Sequence, residues 1–374
     1  MWSRRRVLGA GLGALVVPVA RAASSGRPVI FAHAPGGWDP TLTFAPLFDD
    51  PAVDMDGGEA DQLGDIPYVR HRLRPSVDRF LGTWSDRTRV FLGLEIGSLS
   101  HDLGRRLVCT GSHGDEPDWA TRIAAAGPAL PLPHLVLGGP AYAGELGAWV
   151  ARSGADGQLA ELVDGSVLAR SDHPSQPQGL DATELVDAHL ALRAEALAAR
   201  ANPERQDLLT SYTQGLDGAA TLRTLADRLQ WDTSTFSGQI DAALRALELG
   251  LSRCVTLDWP GLGTLAWDTH VDNAAQQSSL WEGLFAALDE LVERVELSGT
   301  DALVVVLSEM GRAPRENGEG GKDHWPVSTC FVVGAGVAGG TVGGWASGLL
   351  GAGVDGDPLT PTRVGEELLG LALS

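Results

Sequence analysis

The apolar residues of this chain are concentrated in six short runs, each bounded by glycine, proline or polar residues. The runs span residues 28–34, 88–94, 134–137, 254–258, 303–307 and 330–333. Short apolar runs that do not alternate with polar residues are typical of strands buried on both faces of a sheet. The pattern therefore predicts six buried strands.

Helical patterns lie between these runs. Residues 282–295 repeat their apolar positions with the 3.6-residue period of an amphipathic helix, and residues 69–81 space them less regularly. A last helix is expected over residues 360–373, with Thr360 as its N-cap and Pro361 in its first turn. Strands that alternate with helices predict an α/β fold, with a doubly wound, mostly parallel sheet sandwiched by helices.

Residues 183–250 interrupt this alternation, because they are rich in alanine, leucine, glutamate and arginine and contain no strand pattern. They predict two or three helices that form an insertion or a cap on the α/β core. The preceding stretch 171–179 is rich in glycine, proline, aspartate and serine and is the expected boundary. Residues 23–374 are therefore expected to form one α/β domain with a helical insertion.

The first 22 residues have the pattern of an export signal. Consecutive arginines precede Val7-Leu8, an apolar run extends to Ala20, and Ala20-Arg21-Ala22 fits a small-x-small cleavage site. Paired arginines in this place indicate twin-arginine export, and an ordinary Sec signal is the alternative. We expect the twin-arginine export machinery to carry the protein to the periplasm or the extracellular space.

The composition argues against two other possibilities. The chain has 48 acidic and 28 basic residues and a net charge of −20, which argues against binding nucleic acid through a basic face. Cys109, Cys254 and Cys330 each lie in or beside an apolar run. Buried thiols are therefore expected rather than a disulfide framework.

Four segments that follow predicted strands carry residues suited to chemistry. Asp39 follows a pair of glycines after the first strand, and Asp268 and His270 follow the strand at 254–258. An open α/β sheet binds its ligands at the carboxyl ends of its strands. A carboxylate and an imidazole two residues apart can point the same way in an extended segment and bind a divalent ion. The alternative for Asp39 is an acidic turn residue.

The third segment follows the strand at 303–307. Glu309 offers a carboxylate, and Arg312 could hold an anionic substrate oxygen by a forked contact. His324 could supply a further metal ligand, with Asp323 orienting its ring. The alternative is a solvated loop of mixed charge.

The fourth segment follows the strand at 88–94. A loop-to-helix entry near Ser98 and Ser100 would present backbone N–H groups to an anion, although either serine could simply cap the helix. Taken together, the segments offer three carboxylates and two imidazoles, which could hold one or two divalent ions. These five residues are Asp39, Asp268, His270, Glu309 and His324.

The motifs resemble those of an exported bacterial family of unknown function within the alkaline phosphatase/sulfatase-like superfamily. Beside the twin-arginine start, they are Gly36-Gly37-Trp38-Asp39, Ser100-His101, Trp267-Asp268-Thr269-His270, Ser308-Glu309-Met310-Gly311-Arg312 and Asp323-His324-Trp325. They cover almost the whole mature chain in the expected order. The resemblance implies an alkaline phosphatase-like α/β sandwich with metals at the carboxyl ends of the strands.

The resemblance also implies a role for each ligand residue. Asp39 would be the first-strand ligand, Asp268 and His270 a later pair, Glu309 part of a strand-end pair and His324 the last ligand. Zinc, manganese and calcium are not distinguished. Met310 stands where the strand-end pair would have its histidine, and a thioether is a poor ligand for a hard ion.

The segment from Ser98 further resembles the sulfatase signature, with Arg105 as its arginine. His101 then occupies the place of the nucleophilic cysteine or serine. It could be a nucleophile or a further metal ligand, or it could mark the loss of covalent chemistry. Ser100 is the other candidate nucleophile, and Arg105 or Arg312 would bind the anion.

Two functions are consistent with these features. The first is a metal-dependent hydrolase of phosphate or sulfate esters that acts outside the cytoplasm on a small anionic substrate or a glycan. The second is a non-catalytic exported protein that keeps the fold and one metal, and binds a partner or a surface glycan. Met310 and His101 favour the second function. A simple periplasmic ligand-binding protein is a weaker third alternative, because it would not need five metal-type residues at successive strand ends.

Overall fold

The fold is built on an eight-stranded sheet. The computed structural model describes residues 26–153, 180–225, 228–229 and 231–374. The strands are β1 (Val29–His33), β2 (Thr88–Glu95), β3 (His134–Val136), β4 (Val150–Arg152), β5 (Cys254–Asp258), β6 (Leu303–Leu307), β7 (Val327–Val333) and β8 (Gly340–Gly343). Their order is β8-β2-β7-β6-β1-β5-β3-β4. All six predicted runs are strands of this sheet.

The sheet is mostly parallel. β7 runs antiparallel to both of its neighbours, β6 and β2, whereas the other pairings are parallel. A parallel pair needs a crossover connection, but β6 and β7 are joined by a loop that returns directly. The apolar pattern alone does not distinguish these two cases.

Helices cover both faces of the sheet. They are α1 (Pro75–Trp84), α2 (His101–Thr110), α3 (Trp119–Ala125), α4 (Leu180–Ala198), α5 (Pro203–Thr224), α6 (Phe236–Glu248), α7 (Asn273–Ser298) and α8 (Pro361–Leu373). Ile30 and Ala32 of β1 pack in one core with α1, α6 and α7, and Val29 and Phe31 pack in a second core with α2, α3 and α8. This alternation confirms the predicted doubly wound sandwich.

Short elements complete the described part of the chain. Four two-stranded sheets pair Glu59–Leu63 with Ile66–Arg70, Gly261–Leu262 with Leu265–Ala266, Gly311–Arg312 with His324–Trp325, and Trp345–Ala346 with Leu350–Gly351. Short 3₁₀ helices lie at Pro40–Leu42, Ser85–Arg87 and Gly144–Trp149. The third of the small sheets carries part of the candidate site.

Two of the predicted helices have different bounds. The segment 69–81 is divided between the strand Ile66–Arg70 and helix α1, which begins at Pro75 because proline suits the first helical turn. Helix α7 is longer than its clear periodic core and ends before Gly299, whose positive φ of 63° caps it. Helix α8 begins as predicted, and the Thr360 side chain caps it.

The segment 183–250 contains helices, as its composition predicts. Helices α4 and α5 pack on each other, whereas α6 packs on β5 and α7. That α4 and α5 form an insertion or a cap stays a prediction. The predicted export signal, residues 1–22, and the expected boundary at 171–179 lie outside the described residues.

Two smaller expectations concern cysteines and membrane segments. All three cysteines are free thiols; Cys254 and Cys330 are buried and Cys109 is partly buried. Among the helices of the described residues, none has the length and apolar character needed to cross a membrane.

Candidate metal centre

The candidate site lies at the edge of the sheet where β1, β2, β5 and β6 end. The register of β1 places His33 beside Asp258 of β5 on one side and Leu307 of β6 on the other. The segments that follow these strand ends therefore meet at one edge. After β1 the backbone turns through Gly37, where φ is 83° and a Cβ would lie 2.6 Å from Met310. Glycine is required there for both reasons.

Three histidines surround the carboxylate of Asp268 at this edge. Nε2 of His324 and Nε2 of His270 lie 3.0 and 3.1 Å from its Oδ1, and Nε2 of His101 lies 3.4 Å from its Oδ2. His101, Asp268 and His324 each offer a ligand atom within 4.8 Å of the others, so the three could hold one metal ion. His270 adjoins this group, because its Nε2 lies 3.1 Å from that of His324.

An oxygen acceptor faces the Nδ1 atom of each of these imidazoles. The pairs are His101 with Glu309 Oε1 at 2.8 Å, His270 with Asp323 Oδ1 at 3.1 Å, and His324 with the Leu99 carbonyl at 2.7 Å. Carboxylates and carbonyls accept hydrogen bonds, so the tautomer with its hydrogen on Nδ1 satisfies the outer oxygen of each ring. In that tautomer each Nε2 presents its lone pair toward Asp268. Partners of this kind orient the histidines of metal sites.

The arrangement of ring nitrogens around one carboxylate fits a cation. With neutral rings, Nε2 of His270 and Nε2 of His324 face each other and the Asp268 carboxylate, with no hydrogen to share. Such a group of acceptors is unfavourable unless a proton or a metal ion lies among them. Imidazole nitrogen with one carboxylate oxygen suits zinc, iron or manganese, whereas calcium is bound by oxygen ligands.

Both carboxylates of the site are held in their ionised form. Burial opposes ionisation of Asp268, but the hydrogen bond and the positive charge of Arg312 lower its pKa overall. Burial likewise opposes ionisation of Glu309, and the hydrogen bond from His101 contributes most to lowering its pKa. That same bond raises the pKa of His101. The negative charge that attracts a cation is therefore present at neutral pH.

Glu309 lies behind the cluster rather than within it. The sequence predicts Glu309 as a metal ligand, but its side chain is completely buried below the site. Its Oε1 accepts hydrogen bonds from the Gly36 N–H at 2.7 Å and from His101. Position 309 directly follows the buried end of β6, where Ser308 is also fully buried. In this position Glu309 orients the His101 ring, and its predicted role as a metal ligand stays untested.

Asp39, the predicted first-strand ligand, is also placed differently by the structure. It is 0% exposed, accepts three hydrogen bonds, from the Thr41 N–H and hydroxyl and from Asn273 Nδ2, and forms an ion pair with Lys322 Nζ. A buried carboxylate with this many donors is a satisfied ion pair. The structure does not bring Asp39 together with the three histidines.

Arg312 is bound to the protein in place of the predicted contact with substrate. Its guanidinium is completely buried and donates to the carbonyls of Gly36, Gly37 and Lys322. It also donates to Asp268 Oδ1 at 2.7 Å. These bonds occupy its fork and hold Asp268 in position, so Arg312 is a positioning residue.

Arg105 is the arginine with access to solvent. It follows His101 by one turn of α2, its side chain is 36% exposed, and its Nε lies 3.7 Å from Glu309 Oε1. Ser100 is exposed at the start of α2, where it is the N-cap residue but makes no side-chain capping bond. Met310 is fully buried in the core. Of the residues predicted to bind an anion, Arg105 is the better placed.

The chain matches a known protein family by sequence. Residues 150–368 match the family model described as a protein of unknown function (DUF1501). The chain belongs to the DUF1501 family. The matched part includes Asp268, His270, Glu309 and His324 of the centre. No curated protein matches this DUF1501 chain by sequence.

Three solved structures are similar to the chain at low identity. Ps i-CgsB in complex with k-i-k-neocarrahexaose is 8% identical with a TM-score of 0.38, over 92% of this chain and 72% of that one. The lipoteichoic acid synthase LtaP from Listeria monocytogenes is 9% identical with a TM-score of 0.36, over 92% and 76%. A Bacteroides thetaiotaomicron protein described under the metabolism of multiple glycosaminoglycans is 11% identical with a TM-score of 0.34, over 92% and 73%.

Sequence reasoning missed three contributors to this DUF1501 site. Asn273 and Lys322 hold Asp39, and the Leu99 carbonyl holds His324. A backbone carbonyl has no signal in the sequence. Lys322 does have one, because it is the only lysine among the 28 lysine and arginine residues of the chain. Asp323, expected beside His324, is bonded to His270 instead.

Proposed function

We propose that this DUF1501 protein is a metal-dependent hydrolase of phosphate or sulfate esters that acts outside the cytoplasm. The observation that carries the proposal is the group of three imidazole Nε2 atoms that lie 3.0–3.4 Å from the Asp268 carboxylate. A core that buries charge without function satisfies it with donors, as Asp39 is satisfied. The cluster at Asp268 instead has an excess of acceptors and is partly open to solvent.

The residues of the centre divide into ligands and the groups that orient them. His101, Asp268, His270 and His324 would hold a divalent ion, with zinc, iron or manganese preferred over calcium by ligand type. Such an ion supplies an activated water and neutralises charge that develops on a phosphoryl or sulfuryl oxygen. Glu309 fixes the ring of one ligand histidine and thereby the direction of its lone pair.

Arg105 is the residue that we assign to the substrate anion. Its guanidinium is partly exposed and lies on the same helix face as His101, one turn further on. A guanidinium fork matches the oxygens of a phosphate or sulfate group. Ser100, exposed beside His101, remains the candidate for contact with the reacting group.

A non-catalytic exported protein that binds a metal and a glycan is the second candidate function. It is favoured by the position of His101, which is held between Glu309 and Asp268 as a ligand and is not free to attack an ester. The two candidates share the metal centre and differ only in turnover.

The test is an assay of purified protein with zinc, manganese or calcium added to the metal-free form. Substrates are p-nitrophenyl phosphate, bis(p-nitrophenyl) phosphate and p-nitrophenyl sulfate. We expect turnover that depends on the added metal and falls by about 100-fold or more in His324→Ala. Loss of a residue that only orients a metal ligand already lowers activity or metal affinity by about 10- to 100-fold. His113→Ala, a change at an exposed histidine outside the centre, is the matched control.

The outcomes separate the two functions. A bound ion without turnover on any ester would favour the non-catalytic candidate, and turnover equal in His324→Ala and wild type would refute the assigned centre. Export is tested separately by fractionating cells that express the wild type or Arg5→Lys/Arg6→Lys. Retention of the variant in the cytoplasm is expected, and equal export of both chains would refute the twin-arginine route.

A further inference from the structure

The only lysine of the chain is buried at the edge of the candidate centre. Lys322 is 2% exposed, although lysine is rarely buried to this degree. Its ammonium lies 2.9 Å from Asp39 Oδ2, 2.9 Å from the Thr41 hydroxyl and 3.2 Å from the Asp54 carbonyl. These three acceptors match the three donors of an ammonium group. Lys322 is therefore a fully satisfied internal cation.

The partner carboxylate is satisfied as well. An ionised carboxylate has about four lone-pair sites, and Asp39 has four polar contacts. Thr41 donates two hydrogen bonds to Oδ1, at 2.9 and 2.7 Å, Asn273 donates one to Oδ2 at 2.7 Å, and the Lys322 ammonium pairs with Oδ2 at 2.9 Å. A metal ion could bind Asp39 only by displacing these donors, and displacement of Lys322 would leave a buried ammonium unpaired.

The backbone of Lys322 connects this ion pair to the histidine cluster. Its N–H donates to the Thr269 carbonyl at 3.2 Å, between Asp268 and His270 in sequence. Its carbonyl accepts from Arg312 Nη1 at 3.2 Å, and Arg312 in turn holds Asp268. Lys322 also precedes His324 by two residues. The backbone that carries the Lys322 side chain is therefore hydrogen-bonded to the segments that carry the ligands.

We infer that Lys322 is the fixed cation of this site, which holds Asp39 as an internal ion pair and limits the centre to one exchangeable divalent ion. That ion is bound at Asp268 and the surrounding histidines. The inference rests on the proposed function only for the presence of this ion. Lys322 is the internal counter-ion of Asp39, and Asp39 is excluded from metal binding.

The test measures the number of ions per chain and the surroundings of the ion. Metal-free wild type is titrated with Zn²⁺ and with Co²⁺, followed by elemental analysis of the desalted protein and by the visible absorption of bound Co²⁺. We expect one ion per chain. Asp39→Asn/Lys322→Met replaces the ion pair by a neutral pair of similar size, and it is expected to bind one ion with an unchanged Co²⁺ spectrum.

Other variants fix the meaning of each result. Asp268→Asn and His324→Ala are expected to lose the ion, and Lys322→Arg to retain it with reduced affinity, because the larger guanidinium does not match the three acceptors. Two ions per wild-type chain would overturn the inference whether or not any variant folds. A folded double variant that loses the ion would also overturn it, because Asp39 would then be a ligand. No ion in wild type would instead refute the proposed function.

Discussion

Glu309, which is hydrogen-bonded to the His101 ring, offers the sharpest single test of the centre. Glu309→Gln keeps the volume and one acceptor oxygen of a side chain that is completely buried, and removes its negative charge. Glu309 Oε1 accepts from His101 Nδ1 at 2.8 Å and from the Gly36 N–H at 2.7 Å. The variant therefore changes what orients a ligand without changing any ligand.

The expected magnitude follows from these two bonds. Hydrogen bonds to a charged partner contribute about 1.5–3 kcal/mol and neutral ones about 0.5–1.5 kcal/mol, so each bond loses about 1 kcal/mol. Loss of such a partner weakens metal binding by about 10- to 100-fold, or about 1.4–2.8 kcal/mol. The loss of hydrogen-bond energy agrees with the loss of metal affinity if most of that energy serves to orient His101 for metal binding.

The assay is competition for Zn²⁺ between the protein and a chromophoric chelator at constant pH. Glu319→Gln, which removes the same charge from an exposed position, is the matched control and is expected to leave the Kd for Zn²⁺ unchanged. A Kd of Glu309→Gln within twofold of wild type would refute the assignment of Glu309. An equal loss in both variants would show that only net charge matters.

Three further predictions concern stability and accessibility. Arg312→Lys leaves buried carbonyls without a donor, so we expect a loss of about 2–5 kcal/mol in urea unfolding; a loss below about 0.5 kcal/mol would contradict this. Burial raises the pKa of Asp258 from 3.8 to about 6, so the unfolded chain ionises first and folded stability falls as pH rises through that window. The urea concentration at the unfolding midpoint of Asp258→Asn should therefore be higher than that of wild type above pH 6 and equal to it near pH 4. An unchanged midpoint above pH 6 would contradict the prediction. An amine-selective acetylating reagent should leave Lys322 unmodified in native protein and modify it in denaturant, as judged by peptide mass spectrometry; rapid native modification would contradict its burial.

Much of the fold could be predicted because buried strands have a strong local pattern. The runs at β5 and β6 have the same bounds in the sequence pattern and in the structure. The direction of β7 could not be predicted, since a strand buried on both faces has the same composition whether it runs parallel or antiparallel. The bounds of α7 were underestimated because its first turns, from Asn273, are polar and contact the site instead of the core.

The site was predictable as a place but not as a set of contacts. Strand-end topology brings Asp268, His270 and His324 to one edge, and the sequence order of the strands was sufficient to expect this. Which carboxylate faces which imidazole depends on contacts between residues far apart in sequence, such as Glu309 with His101. Local spacing in the sequence carries no information about such pairs. The sequence therefore did not distinguish residues that face the centre from residues such as Glu309 and Asp39, which are bonded to other side chains beside it.

The difference in solvent exposure explains why Asp39 is paired with a lysine, whereas Asp268 suits the exchangeable ion that we propose. Asp39 is 0% exposed, and a charge buried to that degree requires a permanent partner, since an exchangeable one would leave it unpaired whenever it departed. The Asp268 side chain is 44% exposed, so water can solvate it between binding events and an ion can leave. Lys322 thus suits the first position, because a covalently attached ammonium cannot dissociate. Asp268 shares its charge with the buried Arg312, and the histidines suit the second position because their Nε2 atoms can join Asp268 in binding an ion from solution.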